Sequence, residues 1–132
     1  MIGLDTNILL RAFVNDDPVQ SSAARRFLDR RDDAAPKFVC LVVLVEFAWS
    51  LRRTYGYPRG AVLEAVRRLL DANDTVVQCR DLVASCVSVG ASVNSELSDL
   101  LIGKGNLAEG CTTTVTFDRI AARRIPGMEL LT

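Results

Sequence analysis

The chain has 132 residues, with 16 basic and 16 acidic side chains, and so carries no formal net charge at pH 7. Its length suits one domain covering residues 1–132, and the balanced charge says nothing about a nucleic-acid partner. Because the chain contains no histidine, the usual Cys/His zinc sites and catalysis by a histidine base are excluded, and any hydrolysis must rely on carboxylates or metal.

Short apolar strands alternate with longer helices along the predicted chain. Strands are predicted at residues 1–4, 36–40, 75–78, 111–115 and 128–131. Helices are predicted at residues 7–13, 18–31, 41–56, 58–73, 81–89 and 95–108, with a short basic helical turn at 118–124. Strands separated by helices predict a doubly wound α/β fold, in which a central parallel sheet of four to five strands is covered on both faces.

The apolar segments predict a protein of the cytoplasm. The longest of them, residues 38–51, contains Glu46 and is shorter than the roughly 20 residues that cross a bilayer. Asp5 stands where a secretion signal would have a basic region followed by an apolar run, so we expect no such signal. The cysteines form no CxxC pair, and we expect buried, reduced thiols at four positions: Cys40, Cys79, Cys86 and Cys111.

Asp5 directly follows the first apolar strand and precedes another apolar segment. In doubly wound folds, chemistry collects at the carboxyl ends of the strands, where the sheet order reverses and opens a crevice. A wholly apolar first strand is expected to be central, which would place Asp5 at the mouth of that crevice. Burying a lone carboxylate is unfavourable, so we expect a positive partner to neutralise it.

Three further carboxylates interrupt apolar surfaces or follow a strand. Glu46 lies within VVLVEFAWSL, where a structural ion pair with Arg53 is the alternative to a metal-ligand role. Asp99 shares a helical face with Glu96, and two clustered carboxylates facing a crevice need a cation, although Glu96 could instead lie on a solvated helix face. Asp118 follows the fourth strand, where it could instead be the N-cap of the next helical turn. Oxygen ligands of this kind suit Mg²⁺ or Mn²⁺, which predicts a metal-dependent phosphodiesterase.

Four segments, in this order, resemble PIN-domain ribonucleases, and within them the VapC-like toxins of prokaryotic toxin-antitoxin pairs. The segments are GLDTNILLRAF, LVVLVEFAWSLRRTYG, ELSDLLIG and GCTTTVTFDRIAAR, and the resemblance spans essentially the whole chain. It implies a PIN-like α/β/α sandwich with a metal-dependent endoribonuclease activity on single-stranded or loop RNA, often tRNA. It also implies a homodimer and a cognate antitoxin protein that occludes the site.

The resemblance further implies roles for individual residues. The catalytic acids around one or two Mg²⁺ or Mn²⁺ ions would be Asp5, Glu46, Asp99 and Asp118. Supporting groups, for the Asp5 carboxylate or for water and phosphate, would be Thr6, Asn7 and Thr116. Arginine provides 14 of the 16 cations and suits phosphate better than lysine, and the candidate phosphate contacts are Arg11, Arg52 and Arg53.

Two other protein classes with an aspartate after the first or third strand require a residue that this chain lacks. A phosphatase of the haloacid dehalogenase type would need a second aspartate where Asn7 stands. A receiver domain would need a phosphoacceptor aspartate after the third strand, where the sequence is VVQCRD. It would also need a lysine near the end of the chain, where there is none. A catalytically silent α/β interaction module, whose acids merely form structural ion pairs with arginines, stays open as an alternative.

Overall fold

The structure, a computed structural model, describes residues 1–132. Its helices are α1 Thr6–Phe13, α2 Pro18–Asp29, α3 Leu41–Arg53, α4 Arg59–Asp71, α5 Arg80–Val93, α6 Leu97–Ala108 and α7 Arg119–Arg124. Its strands are β1 Ile2–Gly3, β2 Lys37–Val39, β3 Thr75–Val77, β4 Thr114–Thr116 and β5 Met128–Leu130. All the predicted helices and strands are present, and the predicted α/β class is confirmed.

The five strands are parallel but belong to two sheets. One sheet has the order β1-β2-β3, and the other consists of β4 and β5. β1 is therefore an edge strand, and the prediction that it is central is wrong. The strands also form two separate sheets where a single sheet was predicted. β1 pairs through only Ile2 and Gly3, both exposed, so few backbone hydrogen bonds hold this part of the sheet.

A hydrophobic core of 24 buried residues joins the helices to the three-stranded sheet. Its fully buried side chains include Leu44 and Leu51 of α3, Val66 of α4 and Leu100 of α6. The two residues of α3 are seven positions apart, which places them on one face of the helix. None of the helices is long and apolar enough to span a membrane.

Helix α5 extends beyond its predicted end at Val89 to Val93. Gly90 lies inside the helix, where its lack of a side chain allows neighbouring side chains to pack closely against the backbone. A Cβ at Gly90 would lie 3.2 Å from side-chain carbons of both Leu63 and Leu100. The helix ends instead at Asn94, whose φ of 53° is left-handed and cannot continue a right-handed helix.

The four cysteines are free thiols, as predicted, but only Cys86 is buried. Burial raises the pKa of the Cys86 thiol to about 11. Cys40 is half-buried, and the prediction of burial is wrong for Cys79 and Cys111, which are exposed. Both lie just outside helices, Cys79 before α5 and Cys111 after α6, where the chain runs along the surface.

Gly103 and Gly105 stand inside α6, although glycine in a helix is about 1 kcal/mol less favourable than alanine. A Cβ at Gly103 would lie 2.8 Å from Cγ2 of Ile125 and 3.3 Å from Cε of Met128. Ile125 is only 2% exposed and has little room to move. A Cβ at Gly105 would meet only Leu82, at an ordinary 3.7 Å. Gly103 therefore lets the C-terminal segment pack directly against α6.

We expect Gly103→Ala to lower the free energy of unfolding by about 1–3 kcal/mol, because the added methyl group overpacks the contact with Ile125. Gly105→Ala is the matched control, two residues later in the same helix. It should be neutral or raise the free energy of unfolding by about 0.5–1 kcal/mol, because alanine reduces the entropy of the unfolded chain. Urea denaturation of both variants measures the difference, and equal stabilities would contradict this packing role of Gly103.

Candidate active site

Asp99 and Asp118 line the same surface pocket. Asp99 lies in the first turn of α6, and Asp118 is the N-cap of α7, two residues after the end of β4. Side chains from α3 and α4 close the other sides of the pocket, which encloses about 170 Å³. Two of the four predicted acids are thus brought together from separate elements.

The carboxylate of Asp99 is held in an unfavourable environment. Its pKa is raised above the ordinary 3.8, chiefly because the group is partly buried, and further by the negative charges of Asp118 and Glu96. Arg53 and Arg59 act in the opposite direction, but they do not cancel the rise. A divalent cation would relieve such crowding, so Asp99 and Asp118 fit a hard metal ion such as Mg²⁺.

Asp118 has one oxygen with a structural role and one that is free. Its Oδ1 accepts hydrogen bonds from the backbone N–H groups of Ile120 at 2.9 Å and Ala121 at 3.0 Å, which caps α7 as the sequence allowed. Its Oδ2 accepts no hydrogen bond from the protein. Oγ1 of Thr116 accepts a hydrogen bond from the backbone N–H of Asp118 at 3.0 Å. Thr116 therefore holds the segment that carries Asp118, and the cap leaves one carboxylate oxygen available.

Glu96 lines the same pocket, but two arginines bind its carboxylate. Arg52 donates to both carboxylate oxygens, through Nη2 to Oε1 at 2.9 Å and through Nε to Oε2 at 3.1 Å. Arg59 donates from Nε to Oε1 at 3.0 Å. The hydrogen bond from Arg52 is the main reason that the pKa of Glu96 is lowered. Glu96 is therefore the centre of a structural ion cluster. It differs in this from Asp99 and Asp118, which form no ion pair.

The three candidate phosphate contacts differ in what they already bind. Arg52 is bound to Glu96. Arg11 forms an ion pair with Asp16, with 3.3 Å between Nη1 and Oδ2, and does not line the pocket. Arg53 lines the pocket, is exposed, and forms no hydrogen bond or ion pair. Arg53 is thus the one of the three whose guanidinium group is free beside the acids.

Glu46 and Asp5 are exposed, so the expectation that both carboxylates are buried is wrong. Helix α3 turns its face with Leu44 and Leu51 into the core and leaves Glu46 on the solvent side. Asp5 is the N-cap residue of α1, but its side chain forms no capping hydrogen bond, and it follows β1 at the sheet edge. No group of three carboxylates lies close enough to hold a metal ion. Because β1 and β4 belong to different sheets, convergence of all four acids on one site stays a prediction.

Thr6 and Asn7 follow Asp5 directly, but neither forms a hydrogen bond with its carboxylate. The Thr6 hydroxyl is buried without a hydrogen-bond partner, and Asn7 is exposed. A buried hydroxyl without a partner is destabilising by about 1–3 kcal/mol. The predicted support of Asp5 by these two residues therefore stays a prediction, although the Thr6 hydroxyl remains available for it.

A model of the PIN domain family matches residues 2–127 of the chain. The protein belongs to the PIN domain family. PIN domains are generally metal-dependent nucleases and typically use divalent ions, which agrees with the acid pair of the pocket. No curated protein sequence matches the chain. Family membership confirms the resemblance at the level of the PIN domain.

Several pocket residues of this PIN domain were not predicted from the sequence, among them Trp49, Arg59 and Ser95. Trp49 lies within an apolar run, but its spacing of three from Glu46 places both on one helical face, and that signal could have identified it. Nothing in the local sequence distinguished Arg59 from other surface arginines. Ser95 has a buried hydroxyl without a partner, a property that only the folded structure reveals.

Proposed function

We propose that this PIN domain is an Mg²⁺- or Mn²⁺-dependent endoribonuclease that cleaves single-stranded or loop RNA, with tRNA as a candidate substrate. We further propose that it is a single-domain, VapC-like toxin of the cytoplasm, a homodimer whose site a cognate antitoxin protein occludes. The observation that carries the nuclease proposal is the pairing of Asp99 with Asp118 in one pocket of a PIN domain.

In this proposal, Asp99 and the free Oδ2 of Asp118 would hold the cation, and Glu46 and Asp5 would be the other two acids of the site. A bound divalent cation supplies Lewis-acid chemistry, which favours deprotonation of water and offsets charge on the phosphate. The water oxygen attacks phosphorus, the bond from phosphorus to the 3′ oxygen breaks, and that oxygen takes up a proton. The products are a 5′-phosphate and a 3′-hydroxyl. Arg53 offers its guanidinium group to a phosphate of the substrate.

The alternative function is a catalytically silent interaction module whose acids form structural ion pairs. Glu96 fits that alternative, because two arginines bind it. The proposed catalytic acids do not fit it, since none of them forms an ion pair with lysine or arginine: Asp5, Glu46, Asp99 and Asp118. Among them Asp99 is partly buried, and a partly buried carboxylate without an ion-pair partner favours a cation-binding role over a structural one.

We expect the purified protein to cleave total RNA in the presence of Mg²⁺ and to stop when the metal is removed with EDTA. Excess Mg²⁺ or Mn²⁺ should restore cleavage, and the new RNA ends should carry a 5′-phosphate. Asp5→Asn should cleave much more slowly than wild type, because the variant lacks one of the four proposed acids. Gel analysis of the RNA and an assay of its 5′ ends measure these results.

The matched control is Asp29→Asn, which changes an exposed aspartate of α2 that forms no ion pair and should leave cleavage unchanged. Cleavage that survives EDTA, or that proceeds equally in wild type and Asp5→Asn, would refute the proposed function. Inactivity of the wild type on RNA would favour the silent module.

A further inference from the structure

Trp49 is the single tryptophan of the chain, and it is 54% exposed. Large aromatic side chains usually contribute to cores and interfaces, so exposure of an indole on a helix is informative. Trp49 lies three residues after Glu46 and four before Arg53 on α3, and these three side chains share the solvent side of the helix. The indole is thus placed between an acid and the unpaired arginine.

The indole borders two surfaces of different character. On one side lies the pocket that contains Asp99 and Asp118. On the other side lies an open groove whose lining is almost entirely apolar, formed with Leu41, Val42 and Val45. A nucleotide has the same two parts, because its phosphate is charged and polar while its base is flat and largely apolar. The position of Trp49 therefore suits a group that bridges the two surfaces.

We propose that Trp49 is a platform on which a base of the RNA substrate stacks, while a phosphate of the same strand contacts Arg53. This inference rests on the proposed ribonuclease function and deepens it by naming a substrate-binding residue. Aromatic side chains bind bases of any sequence, because every base presents a π face. The guanidinium group of Arg53 forms no ion pair within the protein, so it is available to the phosphate.

A second exposed aromatic side chain supports a nucleic-acid occupant. Phe117, directly before Asp118, is 80% exposed. Exposed aromatic rings therefore accompany the acids on two separate elements, α3 and the segment after β4. Single-stranded nucleic acids are commonly bound by such rings together with cationic side chains.

A second copy of the chain fits this face less well. The core of a protein interface is depleted of charged residues, whereas here Glu46 and Arg53 flank the indole. Covering the face with another apolar surface would remove both charges from water without supplying partners. A phosphate of an RNA strand would neutralise Arg53, and the cation of the proposed function would neutralise Glu46. Charge complementarity thus favours RNA as the occupant.

The fluorescence emission of Trp49 reports whether a ligand covers the indole, since the chain has no other tryptophan. In EDTA, where the proposed cleavage cannot occur, a short single-stranded RNA should quench this emission. The quenching should saturate at the same RNA concentrations as the fluorescence anisotropy of the same RNA carrying a fluorescein label. Agreement between the two curves would place the indole at the bound RNA.

Trp49→Leu keeps an apolar side chain but removes the π face, and it should weaken RNA binding by roughly 5- to 150-fold. Trp49→Phe keeps a ring and should bind better than Trp49→Leu. Val19→Ala is the matched control, because it removes an exposed apolar side chain from α2, which lines neither surface, and should leave affinity unchanged. Circular dichroism and thermal unfolding would verify that all three variants fold.

RNA that binds without quenching Trp49, equal affinity of wild type and Trp49→Leu, or no RNA binding at all would overturn the inference. Emission that changes with protein concentration but not with RNA would assign this face to a second copy and would also overturn it. The cleavage assay in Mg²⁺ separates the two proposals. Cleavage with full affinity in Trp49→Leu would refute the platform alone, whereas quenching by RNA without metal-dependent cleavage would refute the nuclease and leave the RNA-binding surface.

Discussion

Asp99→Asn is expected to lower the rate of metal-dependent RNA cleavage by at least about 100-fold. The amide keeps the shape of the side chain but loses the negative charge that the cation requires. Divalent metals contribute several kcal/mol of transition-state stabilisation in such reactions, and each 1.36 kcal/mol is about tenfold in rate. Rates of RNA cleavage by wild type and Asp99→Asn at equal Mg²⁺ concentrations measure the loss.

The same substitution should leave the protein as stable as wild type in EDTA at pH 7, or more stable. Burial and neighbouring charges raise the pKa of Asp99 in the folded state. An acid with a raised folded pKa contributes stability below its unfolded pKa of 3.8, and this contribution is lost as the pH rises through the folded value. At pH 7 wild type therefore carries a charge that opposes folding, and asparagine does not.

Thermal unfolding at pH 7 in EDTA, and again in Mg²⁺, tests the stability part of this prediction. Mg²⁺ should raise the Tm of wild type, because a ligand that binds only the folded state stabilises it, and should raise that of Asp99→Asn less. Asp71→Asn, which changes an exposed residue at the end of α4, should match wild type in activity. An active Asp99→Asn, or one that is clearly less stable in EDTA, would indicate a structural role for Asp99.

Lys37 is the one charged residue in the buried set, at 3% exposure, and it lies in the middle strand β2. Its ammonium group donates hydrogen bonds to the Asp74 carboxylate and, at 2.9 Å, to the backbone carbonyl of Arg30. The hydrogen bond from Lys37 is the main reason that the pKa of Asp74 is lowered. This pair joins β2 to the residue that directly precedes β3.

Asp74→Ala is expected to lower the Tm by roughly 10 °C or more, because it leaves the Lys37 ammonium buried without a counter-charge. Combining Asp74→Ala with Lys37→Met should recover part of the loss, since an apolar pair can replace a buried ion pair. The contribution of Asp74 is present above pH 3.8 and is lost as the pH falls through its lower folded pKa. The double variant should therefore lose less stability in acid than wild type does.

Thermal unfolding followed by circular dichroism measures these effects against a matched surface pair. Asp33→Ala breaks the exposed ion pair between Arg31 and Asp33 and should change the Tm very little. If Asp74→Ala shifts the Tm no more than Asp33→Ala, the buried pair contributes no more than an exposed one.

Local signals in the sequence determined the order and type of the helices and strands. Pro18 begins α2, and the side chain of Asp17 accepts a hydrogen bond from the backbone N–H of Gln20 at 3.1 Å, as a start signal predicts. Such signals act within a few residues, so they can be interpreted without knowing the fold. They also indicated Asp99 and Asp118 as candidate acids, because each follows or interrupts an apolar segment.

Tertiary structure alone decided how these elements meet. The sequence could not reveal that β1 and β4 lie in different sheets, or that Glu46 faces solvent, because both depend on which faces pack together. Partners of charged groups are equally non-local: Arg52 and Arg59 reach Glu96 from α3 and α4, and Lys37 reaches Asp74 between two strands. The acids could thus be named from the sequence, but the fold decided which of them are paired with arginine and which have no ion-pair partner.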